Sequence, residues 1–132
     1  MSEFPKSKTQ EEWRAILAPE RFSILREAAT ERPFSGELNH VEGSGEFTCA
    51  GCGELLFSTD AKFDSGCGWP SFDAAAGTVI EREDRNHGML RIEIICGGCG
   101  GHLGHVFNDG PTQTGLRYCV NSLAIDYDRQ DS

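Results

Sequence analysis

Two C-x-x-C pairs constrain this chain more than any other feature: C-A-G-C at Cys49 to Cys52 and C-G-G-C at Cys96 to Cys99. A tight turn that presents two thiolates supplies half of a tetrahedral zinc site, and two such turns complete it. Residues 53 to 95 separate the knuckles, too many for a compact zinc ribbon, so an ion here would clasp the two ends of a substantial insert. A Cys49, Cys52, Cys96, Cys99 site is closed, without an open position for catalysis, and its expected role is stability. The same pattern also admits two redox-active C-x-x-C disulfides, or a mixed site that recruits His102 and His105. Cys67 and Cys119 lie outside the clasp, and function turns on them.

The length of 132 residues suits one domain with its own core, expected over residues 8–130. Sixteen glycines favour many turns and short strands over a helix bundle. A net charge of −9 opposes nucleic acid and anionic membranes as partners. No run approaches the roughly 18 apolar residues of a membrane span, and M-S-E-F-P-K-S-K has no apolar segment of a secretory signal. Six cysteines without such a signal point to metal and redox chemistry rather than a secreted disulfide framework. The expected compartment is the cytoplasm.

Thr9 followed by Glu12 is a capping-box pattern ahead of Trp13, Ile16 and Leu17. Pro19 suits the first turn of a second helix that carries Phe22, Leu25, Ala28 and Ala29 at helical spacing. Trp13 and Phe22 read as packing residues. A polar, Gly-rich arm through His40 to Gly45 follows, and from Glu46 onward the pattern is β. Thr78 to Glu83 and Leu90 to Ile95 form a hairpin about an Asn86-His87-Gly88 turn, with Leu90, Ile92 and Ile94 alternating against Arg91, Glu93 and Ile95. His102 to Phe107 and Leu116 to Asp126 read as two more strands. The expected fold is therefore mainly β, two short N-terminal helices followed by an antiparallel body pinned by zinc.

Period-two alternation in R-Y-C-V-N-S puts Arg117, Cys119 and Asn121 on one face. A cation beside a thiol favours the thiolate, although a buried structural cysteine fits the same string. Cys67, in S-G-C-G-W-P-S-F, has glycines on both sides that permit unusual backbone angles and movement, which suits a resolving thiol. Trp69, held by Pro70, offers either an apolar wall for a small group or an ordinary core aromatic. His102 and His105, in G-H-L-G-H-V-F, suggest placed acids or hydrogen-bond donors. His40 and His87 sit in polar loop contexts and carry no reading.

Together these strings resemble the type-B methionine sulfoxide reductases. The resemblance rests on T-E-R-P-F (Thr30 to Phe34), C-A-G-C, F-D-S-G-C-G-W-P-S-F (Phe63 to Phe72), C-G-G-C-G-G-H-L-G-H-V-F (Cys96 to Phe107), D-G-P (Asp109 to Pro111) and T-G-L-R-Y-C-V-N-S (Thr114 to Ser122). It extends from about Ser7 to Tyr127, and Asn108 departs from the family pattern outside the chemistry-bearing positions. It implies a β-tent of two antiparallel sheets around a structural zinc ion, one per chain. It implies that Cys119 attacks the sulfur of the R epimer of methionine sulfoxide, chiefly in proteins. His105, with His102, would donate a proton to the sulfoxide oxygen; Trp69 would receive the S-methyl group; Asn121 would hold hydrogen bonds of the site. Not every member of the family has a cysteine at the position of Cys67; its presence here implies a Cys67–Cys119 disulfide that thioredoxin reduces. The expected protein is a monomer serving repair of oxidative damage. A zinc-dependent binding module on the same fold would keep the four knuckle cysteines but have no use for Cys67, Trp69, His105 and Cys119 together. A thiol–disulfide oxidoreductase acting through a C-x-x-C would require one knuckle to be free of metal.

Overall fold

The structure is a computed structural model and describes residues 4–33, 35, 36, 38, 41, 43–63, 66–85 and 88–129. Thr9 caps α1 (Gln10–Ile16): its side chain accepts from the Glu12 amide, and Glu12 accepts in return from the Thr9 amide. The capping box expected from the sequence is present, satisfying two orphan donors of the helix start. Pro19 opens α2 (Pro19–Glu27), where its fixed φ suits the first turn. The helix ends earlier than the apolar spacing suggests. Ala28 is in the left-handed region (φ 58°), and the Ala29 amide bonds back to the Ser23 carbonyl, so Ala28 and Ala29 terminate the helix.

Among the described residues nine strands follow. β1 (Gly45–Cys49), β2 (Leu55–Ser58) and β9 (Ile125–Arg129) form a three-stranded sheet in the order β2-β1-β9. β3 (Lys62–Phe63), β4 (Ser71–Phe72), β5 (Val79–Asp84), β6 (Arg91–Cys96), β7 (His102–Phe107) and β8 (Arg117–Val120) form a second sheet in the order β3-β4-β8-β7-β6-β5. Every pairing is antiparallel, so the mainly β fold with two short helices is as expected. The sheets meet through aromatic rings. Phe72 of the larger sheet stacks on Phe57 at 4.4 Å and meets Phe47 edge-on at 5.0 Å, all three fully buried. Truncating such a ring costs about 3–5 kcal/mol.

The Leu116 to Asp126 stretch is not one strand. It breaks at a 3-10 turn over Ser122–Ala124, so that β8 lies in the larger sheet and β9 in the smaller. Asn121 sets the break: its backbone N–H and its Nδ2 both donate to the Leu103 carbonyl, at 2.9 and 3.0 Å, while Ala124 O accepts from the Ala50 amide. One continuous stretch of chain thereby joins both sheets. The alternation expected in β6 also fails: Leu90 lies exposed ahead of the strand, and Glu93 is buried beside Ile94. A register shift between Ile94 and Ile95 buries both isoleucines and then Cys96. The hairpin of β5 and β6 is otherwise as expected and runs straight into the second knuckle. Asn86 and His87 of its turn lie outside the described residues, as does His40 of the arm.

The helices pack over the first knuckle and the end of the larger sheet, α2 lying against β7 and the Ser122–Ala124 turn. Trp13 is fully buried and Phe22 nearly so, which settles both as packing residues. Among the described residues no helix is long and apolar enough to cross a membrane.

Candidate active site and metal centre

Cys49 ends β1 and Cys96 ends β6, so the two knuckles leave different sheets and converge. The ligand atoms of Cys49, Cys52, Cys96 and Cys99 all lie within 4.8 Å of one another. Cys49 and Cys99 sulfurs are 3.7 Å apart, and those of Cys52 and Cys96 are 3.5 Å apart. A tetrahedron with metal–sulfur bonds of about 2.3 Å has edges of about 3.8 Å, so the four thiolates fit such an ion. The Gly51 and Gly98 amides donate to the Cys49 and Cys96 sulfurs at 3.4 and 3.3 Å, as thiolates require. Without a metal the grouping is unfavourable for ionised thiolates: the hydrogen bond with Cys49 and burial push Cys96 up to about 12. Arg26, stacked 5.1 Å over Trp13, donates to the Cys99 carbonyl and ties α2 to this centre. His102 and His105 are not part of the grouping, and the two knuckles form one cluster rather than two separate dithiols.

The second constellation follows from strand register. Ser71 pairs with Cys119, Cys119 with His105, His105 with Glu93, and Glu93 with Arg82. These side chains share one face, because partners across an antiparallel pair point the same way, about 4.5–5.5 Å apart. The row thus carries a hydroxyl, a thiol, an imidazole, an acid and a guanidinium across five strands. β7 and β8 approach closely over Gly104, where a Cβ would stand 1.9 Å from the Cys119 carbonyl oxygen.

Cys67 reaches this row from a loop. Gly66 and Gly68 beside it have φ of 75° and 93°, angles that side chains rarely tolerate. The Cys67 sulfur lies 3.3 Å from the Cys119 sulfur. Arg117 donates from Nη1 to the Cys119 sulfur at 2.8 Å, while its Nε and Nη2 donate to both oxygens of Asp109. Asp109 is held below the usual carboxylate range by that guanidinium, and Arg117 is raised in turn. Burial, then the hydrogen bond and charge of Cys67, push the Cys119 thiol up to about 12; Arg117 and Ser71 oppose them. Burial thus favours the thiol form of Cys119, and Arg117 favours its thiolate.

A cavity of about 340 Å³ opens over these groups. Cys67, Cys119, Arg117 and His105 line it together with Trp69, Phe107, Asn121, Gly104, Thr30 and Arg91. Trp69 is half-buried and a wall of this cavity, not a core residue; its Nε1 donates to the Glu31 carbonyl at 3.0 Å. Both ends of the Asn121 amide are committed to backbone. Oδ1 accepts from the Glu31 N–H at 3.0 Å, and Nδ2 donates to the Leu103 carbonyl at 3.0 Å. His105 Nε2 bonds Asp84 at 2.8 Å. Burial pushes its imidazolium below the ordinary histidine value, and the Asp84 hydrogen bond opposes this.

His102 stands behind His105 with ring centroids 5.6 Å apart and does not line the cavity. Its Nδ1 meets Glu93 at 2.6 Å, and its Nε2 is buried with no hydrogen-bond partner. Burial pushes Glu93 up, but His102 and Arg82 outweigh it and hold the carboxyl below its usual range.

Sequence reasoning passed over Thr30, Glu31, Asp84, Arg91 and Phe107. Glu31 holds the site at three points: its N–H to Asn121, its carbonyl to Trp69, and its Oε1 to the Leu123 amide. Its only signal in the sequence is its place in T-E-R-P-F.

Comparison with known proteins agrees with this geometry. The SelR domain model matches residues 17–129. A Bradyrhizobium diazoefficiens protein named peptide methionine sulfoxide reductase MsrB is 58% identical over 120 residues, covering 89% of this chain and 86% of that protein. A Thiobacillus denitrificans protein of the same name is 55% identical, with 94% and 96% covered. A Methanosarcina barkeri protein of that name is 47% identical, with 99% and 94% covered. The chain belongs to the SelR-domain family of type-B methionine sulfoxide reductases.

Proposed function

We propose that this chain reduces the R epimer of methionine sulfoxide, chiefly in proteins, to methionine, with Cys119 as nucleophile and Cys67 as resolving thiol. The observation that carries the reading is one cavity in which the Cys119 sulfur has Arg117 at 2.8 Å and Cys67 at 3.3 Å, with His105 across the strand. The site supplies what the chemistry needs. A sulfoxide sulfur becomes a good electrophile when its oxygen is protonated, so an acid must stand near the nucleophile. His105 is that acid, with His102 behind it as support.

Cys119 sulfur attacks the sulfoxide sulfur, Arg117 steadies the charge on the attacking sulfur, and His105 protonates the oxygen. The substrate sulfur gains two electrons and leaves as methionine, while Cys119 loses two and becomes a sulfenic acid. The proton released by the Cys119 thiol restores His105, so none is consumed overall. Cys67 thiol then displaces the sulfenic oxygen as water, forming the Cys67–Cys119 disulfide, and thioredoxin reduces it by thiol exchange. Trp69 takes the S-methyl group. Fixing methyl and oxygen on different walls leaves one epimer productive. Asn121 keeps Trp69 in place through Glu31.

The metal centre is a structural Zn2+, one per chain, held by Cys49, Cys52, Cys96 and Cys99. When bound it supplies folding free energy on the order of 10 kcal/mol, not chemistry. The unit is one domain over residues 8–130, acting as a monomer in the cytoplasm, without nucleic acid or membrane as partner, in repair of oxidised proteins.

The test is stoichiometry. Cys119→Ser should abolish turnover. Cys67→Ser should form one methionine per chain and a dimedone-reactive sulfenic acid at Cys119, with dithiothreitol but not thioredoxin supporting further cycles. Full thioredoxin-dependent cycling in Cys67→Ser would remove the resolving role, and activity in Cys119→Ser would remove the nucleophile.

A further inference from the structure

We propose that Asp84, held by Arg91, is a positioning residue that locks His105 in the tautomer and orientation its proton donation needs. This rests on His105 being the donor in the proposed reduction.

The β5 strand is organised around this aspartate. β5 is an edge strand, and it exposes Ile80 (39%) while the Asp84 side chain is 10% exposed. An apolar residue left in water and a carboxylate taken out of it is the reverse of what stability favours, since buried carboxylates need partners to be tolerated. Asp84 reaches across β6, where its register partner is Arg91, to a ring on β7. The same oxygen, Oδ2, accepts from His105 Nε2 at 2.8 Å and from Arg91 Nη2 at 3.3 Å. Arg91 and His105 both line the cavity over Cys119. Glu93 makes the same kind of bond to His102, but that ring stands off the cavity, so only the Asp84 pair reaches the reacting groups.

An ionised carboxylate only accepts, so Nε2 carries a hydrogen in both charge states of His105. The second proton sits on Nδ1, and that proton is the one transferred to the sulfoxide oxygen. After transfer the neutral ring keeps its Nε2–H bond to Asp84 and has no need to turn before it is reprotonated. Asp84 also works against the burial that depresses the imidazolium. Among the described residues, the charged and titratable groups that face His105 are Asp84 from β5, Arg91 and Glu93 from β6, and His102 on its own strand. Arg117 and Cys119 from β8 and the Cys67 thiol complete the set. Of the nearest of these, Asp84 favours the protonated ring, and Arg91 and His102 disfavour it.

The test is kcat/KM and KM for a blocked methionine R-sulfoxide, with dithiothreitol as reductant, from pH 5 to 9. Asp84→Asn should lower kcat about 10- to 100-fold at pH 8 with KM little changed, part of the 10²–10⁴ that a general acid supplies. Because Asp84 raises the proton affinity of His105, its loss moves the alkaline fall in rate to lower pH, and the deficit should shrink to about threefold or less near pH 5.5. In a His105→Gln background, Asp84→Asn should add less than about twofold. A deficit independent of pH, or the full Asp84→Asn effect without His105, would overturn the proposal. A fully active His105→Gln would overturn it through the donor assignment, whereas an inactive wild type would fail the proposed function itself. If Asp84→Asn does not fold, long-range ¹H–¹⁵N correlations on the wild-type histidine rings decide the matter. A neutral His105 with its hydrogen on Nε2 supports the proposal, and one on Nδ1 overturns it.

Discussion

Replacing Arg117 by Met keeps the volume and removes the charge that faces the Cys119 sulfur at 2.8 Å. A hydrogen bond to a charged partner contributes about 1.5–3 kcal/mol, and one pKa unit corresponds to about 1.36 kcal/mol, so the Cys119 midpoint should rise by about 1–2 units. The thiolate fraction at neutral pH then falls about 10- to 100-fold. A more basic thiolate is also more nucleophilic, with a Brønsted slope of about 0.4–0.5, so the observed rate at neutral pH should drop only about 3- to 16-fold. The midpoint therefore discriminates better than the rate. Iodoacetamide labelling of the Cys119 peptide, followed by mass spectrometry in a Cys67→Ser, zinc-loaded background, gives the midpoint directly. Asp109→Asn serves as the control: it keeps the guanidinium on the sulfur and should shift the midpoint less. An unchanged or lowered midpoint in Arg117→Met would refute the reasoning that Arg117 supports the thiolate.

Three further outcomes follow from the same geometry. Cys67→Ser alone should lower the Cys119 midpoint relative to wild type, since after burial the hydrogen bond and charge of Cys67 are what raise that thiol; the same labelling reads it. Glu93, held below its usual range, contributes stability that is fully present above its unfolded value and lost as pH falls through its lower folded value. Urea midpoints between pH 6 and 3 should therefore fall more steeply for wild type than for Glu93→Gln, with the variant already weaker at pH 6. Cys96→Ser, or chelation of the metal, should cost the fold and not merely the rate, and a stable, zinc-free, active variant would contradict the structural role of the centre.

What could be read in advance divides along physical lines. Thiolate chemistry needs fixed residue types at fixed short spacings, so Cys49, Cys52, Cys96 and Cys99 announce a cluster before any fold is known, and the structure brings them together. Period-two alternation likewise put Arg117 and Cys119 on one face, where the hydrogen bond between them lies. Asp84 and Glu93 were not legible, because Asp84 meets His105 two strands away and Glu93 meets His102 across the shift between Ile94 and Ile95. The break at Asn121 escaped for a related reason: local pattern favours one strand, but two bonds to Leu103 turn the chain from one sheet to the other. Glu31 acts mainly through its backbone, which no side-chain pattern encodes.

The proposed reduction of a sulfoxide of one handedness takes place in one cavity, lined by Cys119. Its most direct test presents the R and S epimers of dabsyl-methionine sulfoxide separately to the zinc-loaded protein with dithiothreitol. Turnover of R alone is expected. Turnover of S alone, or of neither by a folded protein, would contradict it.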